Sequence, residues 1–333
     1  MHQNFNIDAQ QALAFVTAQA YRINATVYET VYPDWDFSRH IYVNTEGPEW
    51  SPGVVTFTTD KTGQAKWQSM GAKDVPYADV SQDWKLKTHH MAAIGYQYNL
   101  EEVNAAIMIN GPLASRRALA ARDAYMKFMY NLTLFGDQTK GLGGITNMPG
   151  VTIIPVPNDG DGNVRYWVNS AGVGTKTPAQ IVRDINLMLS GIATSTFDTV
   201  LADTIKLPMK ALDYIAATPY SAMTMETILS FVMRTNLYTL RTGRPLKIEG
   251  YRELEKAATN TTAPTSAGMG RAVAYNNSPQ YLQLHLPMPH RFLPVWQDGP
   301  FNYAVPGIFR TGGVEVMSNA AIRYADGVTQ APA

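Results

Sequence analysis

The sequence predicts an α+β fold, and three observations carry that expectation. Helical periodicity is concentrated between Asn99 and Gly243, the chain turns β-rich after Gly243, and no regular alternation of strand and helix runs through it. At 333 residues the chain suits about two domains or one elaborate domain, and no internal repeat is visible.

Taken in order, Asp8 is placed to cap a first helix through about Tyr21, with Leu13, Val16 and Ala20 on one face. From Tyr28 the texture is aromatic and extended (Tyr32, Trp35, Phe37, Tyr42), and Pro33 disfavours helix, so this stretch reads as an arm or edge strand. Residues 46–90 form a long excursion. A strand over Gly53–Thr59, a turn at Asp60-Lys61-Thr62-Gly63 and a second strand over Gln64–Gln68 are expected there as a hairpin. Trp67, Tyr77 and Trp84 lie on or near that hairpin, which is too thin to bury them. They need another surface, either a second subunit or this chain's own body.

Asn99 followed by Glu102 marks a short helix ending near Asn110-Gly111, and Pro112 opens a longer one over Leu113–Phe135, stopped by Gly136. On it Leu119, Met126 and Met129 are assigned to the core, with Asp123 and Lys127 paired on another face. Thr177-Pro178 starts a helix to about Ser190, Thr199–Lys206 is strand-like, and Pro208 and Thr224 open two more helices. The β texture then covers Pro245–Glu249, Arg271–Tyr275, Tyr281–Leu286, Gly313–Met317 and Ala321–Tyr324, with a flexible polar loop over Asn260–Ala267.

Composition narrows the function. Charged residues make up 16%, against about 25% in a typical globular chain, which suits an exterior that meets other protein. Lys plus Arg equals Asp plus Glu at 27 each, so no basic field marks a nucleic-acid binder. The balance is uneven: residues 1–60 carry seven acids against Arg22 and Arg39, leaving the remainder net basic, a pattern that suits docking between copies and equally a solvated acidic face. The absence of Cys removes disulfides, thiolate metal sites and Cys nucleophiles. No apolar run approaches the roughly 18 residues of a membrane span, and no secretory signal is apparent, so an intracellular product or a particle built inside a cell is expected.

Motifs that would carry chemistry fail in turn. Gly172-Val173-Gly174-Thr175-Lys176-Thr177 lacks the glycines of a phosphate loop, having Thr175 and Ser170 in their places. Asp159-Gly160-Asp161-Gly162-Asn163 starts like a calcium loop but has Val164 at the sixth position and Ser170 at the twelfth. Gly268-Met269-Gly270 lacks the third glycine of a dinucleotide fingerprint, and Pro264 spoils a nucleophile elbow at Ser266. His89 and His90 are adjacent and point to opposed faces if extended, while His285 and His290 straddle two prolines with no carboxylate near in sequence. No catalytic residue, cofactor or metal site is therefore expected.

The order of elements, together with Gly144-Ile145-Thr146-Asn147-Met148-Pro149-Gly150-Val151, Arg271–Tyr275, Leu286-Pro287-Met288-Pro289 and Pro306–Val314, resembles the HK97-like fold of tailed-phage major capsid proteins, closest to the encapsulin-like branch. The resemblance implies an N-terminal helix and arm (1–45), an extended loop lying on a neighbour (46–90), a peripheral domain with a long spine helix (91–144), an axial domain (145–285) and a β segment returning to the peripheral domain (286–333). It implies a structural function: hexamers and pentamers of this chain in an icosahedral head around double-stranded DNA, held by non-specific contact, with no membrane. Assembly in the host cytoplasm, with a separate scaffold or cement protein or none, belongs to the same expectation. Trp35, Trp67, Tyr77, Trp84 and Lys66 are the expected interface residues. Some relatives weld subunits through a Lys–Asn isopeptide bond, for which Lys61 and Lys66 are the lysines on the hairpin. The alternative within the same fold is a cellular compartment enclosing cargo enzyme.

Overall fold

The computed structural model describes residues 35–68, 70, 75–102, 113–221, 223–259 and 266–331. The described residues from Trp35 onward belong to one compact unit; the helix expected over Asp8–Tyr21 lies outside the described residues, as does most of the stretch expected as a short helix after Asn99. At the start of the latter, Asn99 Oδ1 accepts from the Glu101 amide at 2.8 Å and Glu102 reaches back to the Asn99 amide at 3.2 Å, the reciprocal pattern the spacing predicts.

Two hydrophobic cores share one strand. In a five-stranded sheet the order is Lys247–Tyr251, Thr204–Pro208, Arg271–Tyr275, Ile322–Asp326, Thr152–Pro155, with the outer pairs parallel and both central pairings antiparallel. All five residues of the central strand are buried. Because side chains alternate across a strand, Ala272 and Ala274 enter the core built on Trp167, Ile181, Ile185 and Ile192, while Val273 and Tyr275 enter the core built on Ile41, Met129, Ile145 and Leu284. A charged group tops the junction. Arg271 forms a two-pronged pair with Asp326 at 2.6 and 2.9 Å, donates to the Thr146 carbonyl and to Thr259 Oγ1, and lies over the Tyr324 ring.

Helix α1 (Leu113–Phe135) has the limits the sequence predicts. Its buried face runs through Ala121, Tyr125, Met129 and Leu132, with Met126 packed partly beneath. Leu119, expected in the core, is exposed, because it stands about 125° around the helix from the centre of that row. The end of α1 explains the Gly144–Asn147 segment. Asn147 Nδ2 and Thr146 Oγ1 donate to the Phe135 and Leu134 carbonyls at 2.7 Å each, satisfying groups a helix end leaves orphaned. Gly136 holds a left-handed φ of 68°, and a Cβ on Gly144 would sit 2.2 Å from the Leu134 carbonyl oxygen.

Helix α2 (Pro178–Ser195) opens with a full capping box between Thr177 and Gln180. The failed phosphate-loop lysine, Lys176, is buried instead between Asp159 and Asp184, at 2.8 Å from each, and Asp184 also accepts from Trp167 Nε1 at 3.0 Å. Helix α3 (Met209–Ala217) follows Pro208 as expected. Helix α2 runs five residues past the expected Ser190 and the strand expected at Pro245–Glu249 lies at Lys247–Tyr251; two further boundaries differ for local reasons. Residues 199–203 are loop and the strand begins at Thr204, after the positive-φ pair Phe197 and Asp198. Thr224 opens a strand (Thr224–Thr227) paired with Pro219–Ser221, and Thr227 is the cap of α4 (Ile228–Thr235), where apolar helical spacing starts. Helix α5 (Leu237–Thr242) ends on Gly243 at φ 69°.

The remaining sheets are small: Tyr42–Asn44, Leu282–His285 and Gly313–Val316 in one; Met288–Phe292, Gly307–Thr311 and His90–Ala93 in a second; Trp296–Gln297, Asn302–Val305 and Tyr96–Asn99 in a third. The excursion is a two-stranded ribbon of Gly53–Thr62 against Asp79–Thr88. This corrects the hairpin expectation. Thr62 pairs with Asp79, so no turn forms at Asp60–Gly63 and Gln64–Gln68 is not a strand. Local turn residues favour a bend there, but β-branched residues at 54–56, 58, 59 and 62 favour continued extension, and a matching partner lies further on.

Candidate subunit-docking surface

The register of the ribbon sorts its residues onto two faces, since directly opposed residues share a face and alternate along the strand. The pairs Gly53–Thr88, Val55–Leu86, Phe57–Trp84, Thr59–Gln82 and Lys61–Val80 fall on one face; Val54–Lys87, Thr56–Lys85, Thr58–Asp83, Asp60–Ser81 and Thr62–Asp79 fall on the other. The large apolar side chains Val55, Phe57, Val80, Trp84 and Leu86 thus share the first face, with Thr59, Gln82 and Lys61 among them, and the reverse face is polar apart from Val54 at the root. Val55, Phe57, Val80, Trp84 and Leu86 are each 45–62% exposed, so an apolar strip runs along the ribbon in water. Soluble surfaces rarely leave such a strip uncovered.

The ribbon's root is tied to the body by polar contacts. On the Gly313–Val316 strand, Glu315 Oε2 accepts from Thr56 Oγ1 at 3.2 Å and lies 2.6 Å from His285 Nε2, which must carry the proton because a carboxylate only accepts. Burial pushes the Glu315 carboxyl up, but the His285 hydrogen bond and charge, Thr56 and Lys87 outweigh it and hold it below the usual carboxylate range. At the other edge the His89 amide donates to the Pro52 carbonyl at 2.9 Å, and His89 Nδ1 lies 3.1 Å from both Ser51 Oγ and the Ser51 carbonyl. Burial, above all, lowers the His89 imidazole from its ordinary value, with His285, Arg310 and His90 acting in the same direction against the Ser51 bond.

Of the expected interface residues, Trp84 lies in the apolar strip, while Lys66, Trp67 and Tyr77 are exposed in the segment joining the two ribbon strands. Trp35 is separate from them: it packs edge-on against Tyr130 of α1 at 5.1 Å, with Lys127 over its ring, on this chain's own core. Val55, Phe57, Val80 and Leu86 went unnoticed in the sequence, although their alternation with polar residues was the signal. Other exposed apolar groups are Val295, Trp296 and Phe301 along one stretch of chain, Met223 and Met225 along another, and Leu240.

The other described histidines have partners of their own. His40 accepts from buried Lys206 at 2.8 Å, His90 lies 3.3 Å from Thr88 Oγ1, and His290 Nε2 lies 3.0 Å from the Ile94 carbonyl. The carboxylate that the sequence did not show beside His285 is Glu315, thirty positions away. Among the described residues no group of three or more His, Asp or Glu could hold a metal ion. No helix among them is long and apolar enough to cross a membrane.

Comparison with known proteins agrees with this architecture. The fold is similar to the capsid of Myoviridae phage XM1, at 16% identity over 93% of this chain and 98% of that one, with a TM-score of 0.74. It is similar to a Microbacterium phage Oxtober96 structure at 12% identity over 96% and 98%, TM-score 0.60, and to the capsid of a native GTA particle at 9% identity over 92% and 95%, TM-score 0.56. No curated protein matches the sequence. The model of the major capsid protein family matches residues 63–328, most of the chain, and the chain belongs to that family of shell-building proteins.

Proposed function

We propose that this capsid protein builds the icosahedral head of a tailed phage around double-stranded DNA, and that the apolar face of the ribbon lies on a neighbouring copy of the same chain. The one-sided ribbon carries the reading: five large apolar side chains on a two-stranded element stay about half exposed among the described residues, and a shell of many copies supplies a surface to cover them. In this assignment residues 46–90 are the extended loop, 91–144 with 286–333 the peripheral domain, and 145–285 the axial domain that gathers in pentamers and hexamers. Lys66, Trp67 and Tyr77 extend the docking surface beyond the ribbon's end. The protein acts through interfaces alone, takes no cofactor, and assembles in the host cytoplasm.

Electron microscopy of the purified protein, with and without a co-expressed scaffold, tests the reading. Closed shells are expected, and shells that protect double-stranded DNA from nuclease when made during infection. A Phe57→Ser/Trp84→Ser variant should remain a folded, unassembled subunit. Shells that form equally well from that variant, or particles that enclose protein cargo and no DNA, would overturn it.

A further inference from the structure

The ribbon leaves the body through a cluster of titratable groups that shell building does not by itself require. Glu315 on the body holds Thr56 on the ribbon. The His89 ring, at the ribbon's other edge, stands against the body at His285, 6.2 Å between ring centres, and a Cβ placed on Gly312 would come within 2.8 Å of it. His89 Nε2 is buried without a hydrogen-bond partner. We propose that His89, His285 and Glu315 form a proton-operated latch that fixes the ribbon's angle to the body at neutral pH and releases it in acid.

The groups facing the latch set its sign. Around His89 lie Ser51, His90, His285 and Arg310, the last anchored on the Glu49 carbonyl at 2.9 Å; around Glu315 lie His285, Thr56 and Lys87. A proton added to His89 Nε2 would place a charged donor in a buried position lacking an acceptor, beside the Arg310 guanidinium. Swinging the ribbon root away lets that nitrogen meet water. His89 titrates lower when latched than when free, so the latched form binds fewer protons and is favoured above the ordinary imidazole value of 6.5, losing ground as pH falls below it. Glu315 acts in the same direction at lower pH, since its carboxylate form is the one that holds Thr56. The latch rests on the subunit's own contacts and is independent of the shell reading.

The chain has no Cys, so Gln82→Cys on the ribbon and Lys140→Cys on the body give a clean pair for spin labels. Distances are read by pulsed electron resonance on unassembled subunits. A narrow distribution is expected at pH 7.5, becoming at least twofold broader at pH 5. His89→Gln should keep it narrow at pH 5, whereas Glu315→Gln should be broad at both values. Thr56→Val, which removes only the ribbon-side hydroxyl, should broaden it at pH 7.5 even if Glu315→Gln does not fold. Equal widths at pH 7.5 and pH 5 in the parent, or a narrow distribution in Thr56→Val, would overturn the latch.

Discussion

The ribbon and the central strand Arg271–Tyr275 are both built from paired extended backbone, yet they are opposites in what surrounds them. Every residue of the central strand is buried, and its two faces feed two cores. No residue of the ribbon's twenty is buried. Backbone pairing is thus common to both, and the difference lies in side-chain burial, which supplies most of the driving force for folding. Subunit stability resides at the junction strand, and the ribbon is free to serve contacts outside the subunit.

The sharpest way to break this contrast is at Arg271. Arg271→Met removes the guanidinium that meets both oxygens of the buried Asp326 carboxylate and should cost about 3–5 kcal/mol, read as a large drop in the melting temperature of unassembled subunits. Adding Asp326→Leu should recover much of that loss, because the buried charge that lost its guanidinium is then gone. A single variant as stable as the parent would move the centre of stability elsewhere.

On the ribbon, Trp84→Ala should leave the subunit's melting unchanged within about 0.5 kcal/mol. It should raise the concentration needed for assembly by roughly 30-fold, the equivalent of about 2 kcal/mol at an aromatic anchor. Trp67→Ala is expected to follow the same pattern more weakly. Equal losses of subunit stability and assembly in Trp84→Ala would place that ring in an intramolecular core.

A third effect is pH-dependent and belongs to the body. Burial, with Lys206 next in importance, lowers His40 to about 3, while Glu249 is held down to about 2 because its bonds from Tyr251 and Lys206 outweigh burial. Both groups bind fewer protons folded than unfolded. Stability is therefore full above pH 6.5 and falls with acidification, first through His40 between 6.5 and 3 and then through Glu249 below about 4.5. His40→Gln should flatten the melting-temperature profile between pH 6.5 and 4.5 and make it shallower between 4.5 and 3, leaving only the Glu249 slope below that. The smallest effect is expected at Thr58→Ala, on the ribbon's polar face: no change beyond about 0.5 kcal/mol in melting and no change in assembly, which separates the two faces directly.

What could be read from the sequence follows the range of the interactions involved. The limits of α1 and of Arg271–Tyr275 were legible because a glycine stop, a proline start and a short, mostly apolar run are local signals. The Thr177–Gln180 capping box was legible for the same reason. The ribbon was only half legible: its first strand was evident, but its partner is chosen by side-chain alternation across residues 63–78, and the nearer turn residues were misleading. Leu119 was misplaced because Met129 could be put on a helix face before its tertiary neighbours were known. The contact between His285 and Glu315 was invisible, since nothing in the intervening thirty positions marks the two strands as neighbours.

The pairing of distant strands also sets a timetable for synthesis. Tyr42–Asn44 needs Gln283–His285, His90–Ala93 needs Ile308–Thr311, and Thr152–Pro155 needs Arg323–Asp326. Neither core can close until residue 326 has left the ribosome, whereas both strands of the ribbon are out once residue 88 has left it. At about 5–20 residues per second, that interval lasts roughly 10–50 s. Throughout it the nascent chain carries a finished apolar strip and no finished body. On a polysome, neighbouring nascent chains would hold such strips at high local concentration, so the feature that joins mature subunits also makes chaperone capacity a limit on how fast this protein can be produced.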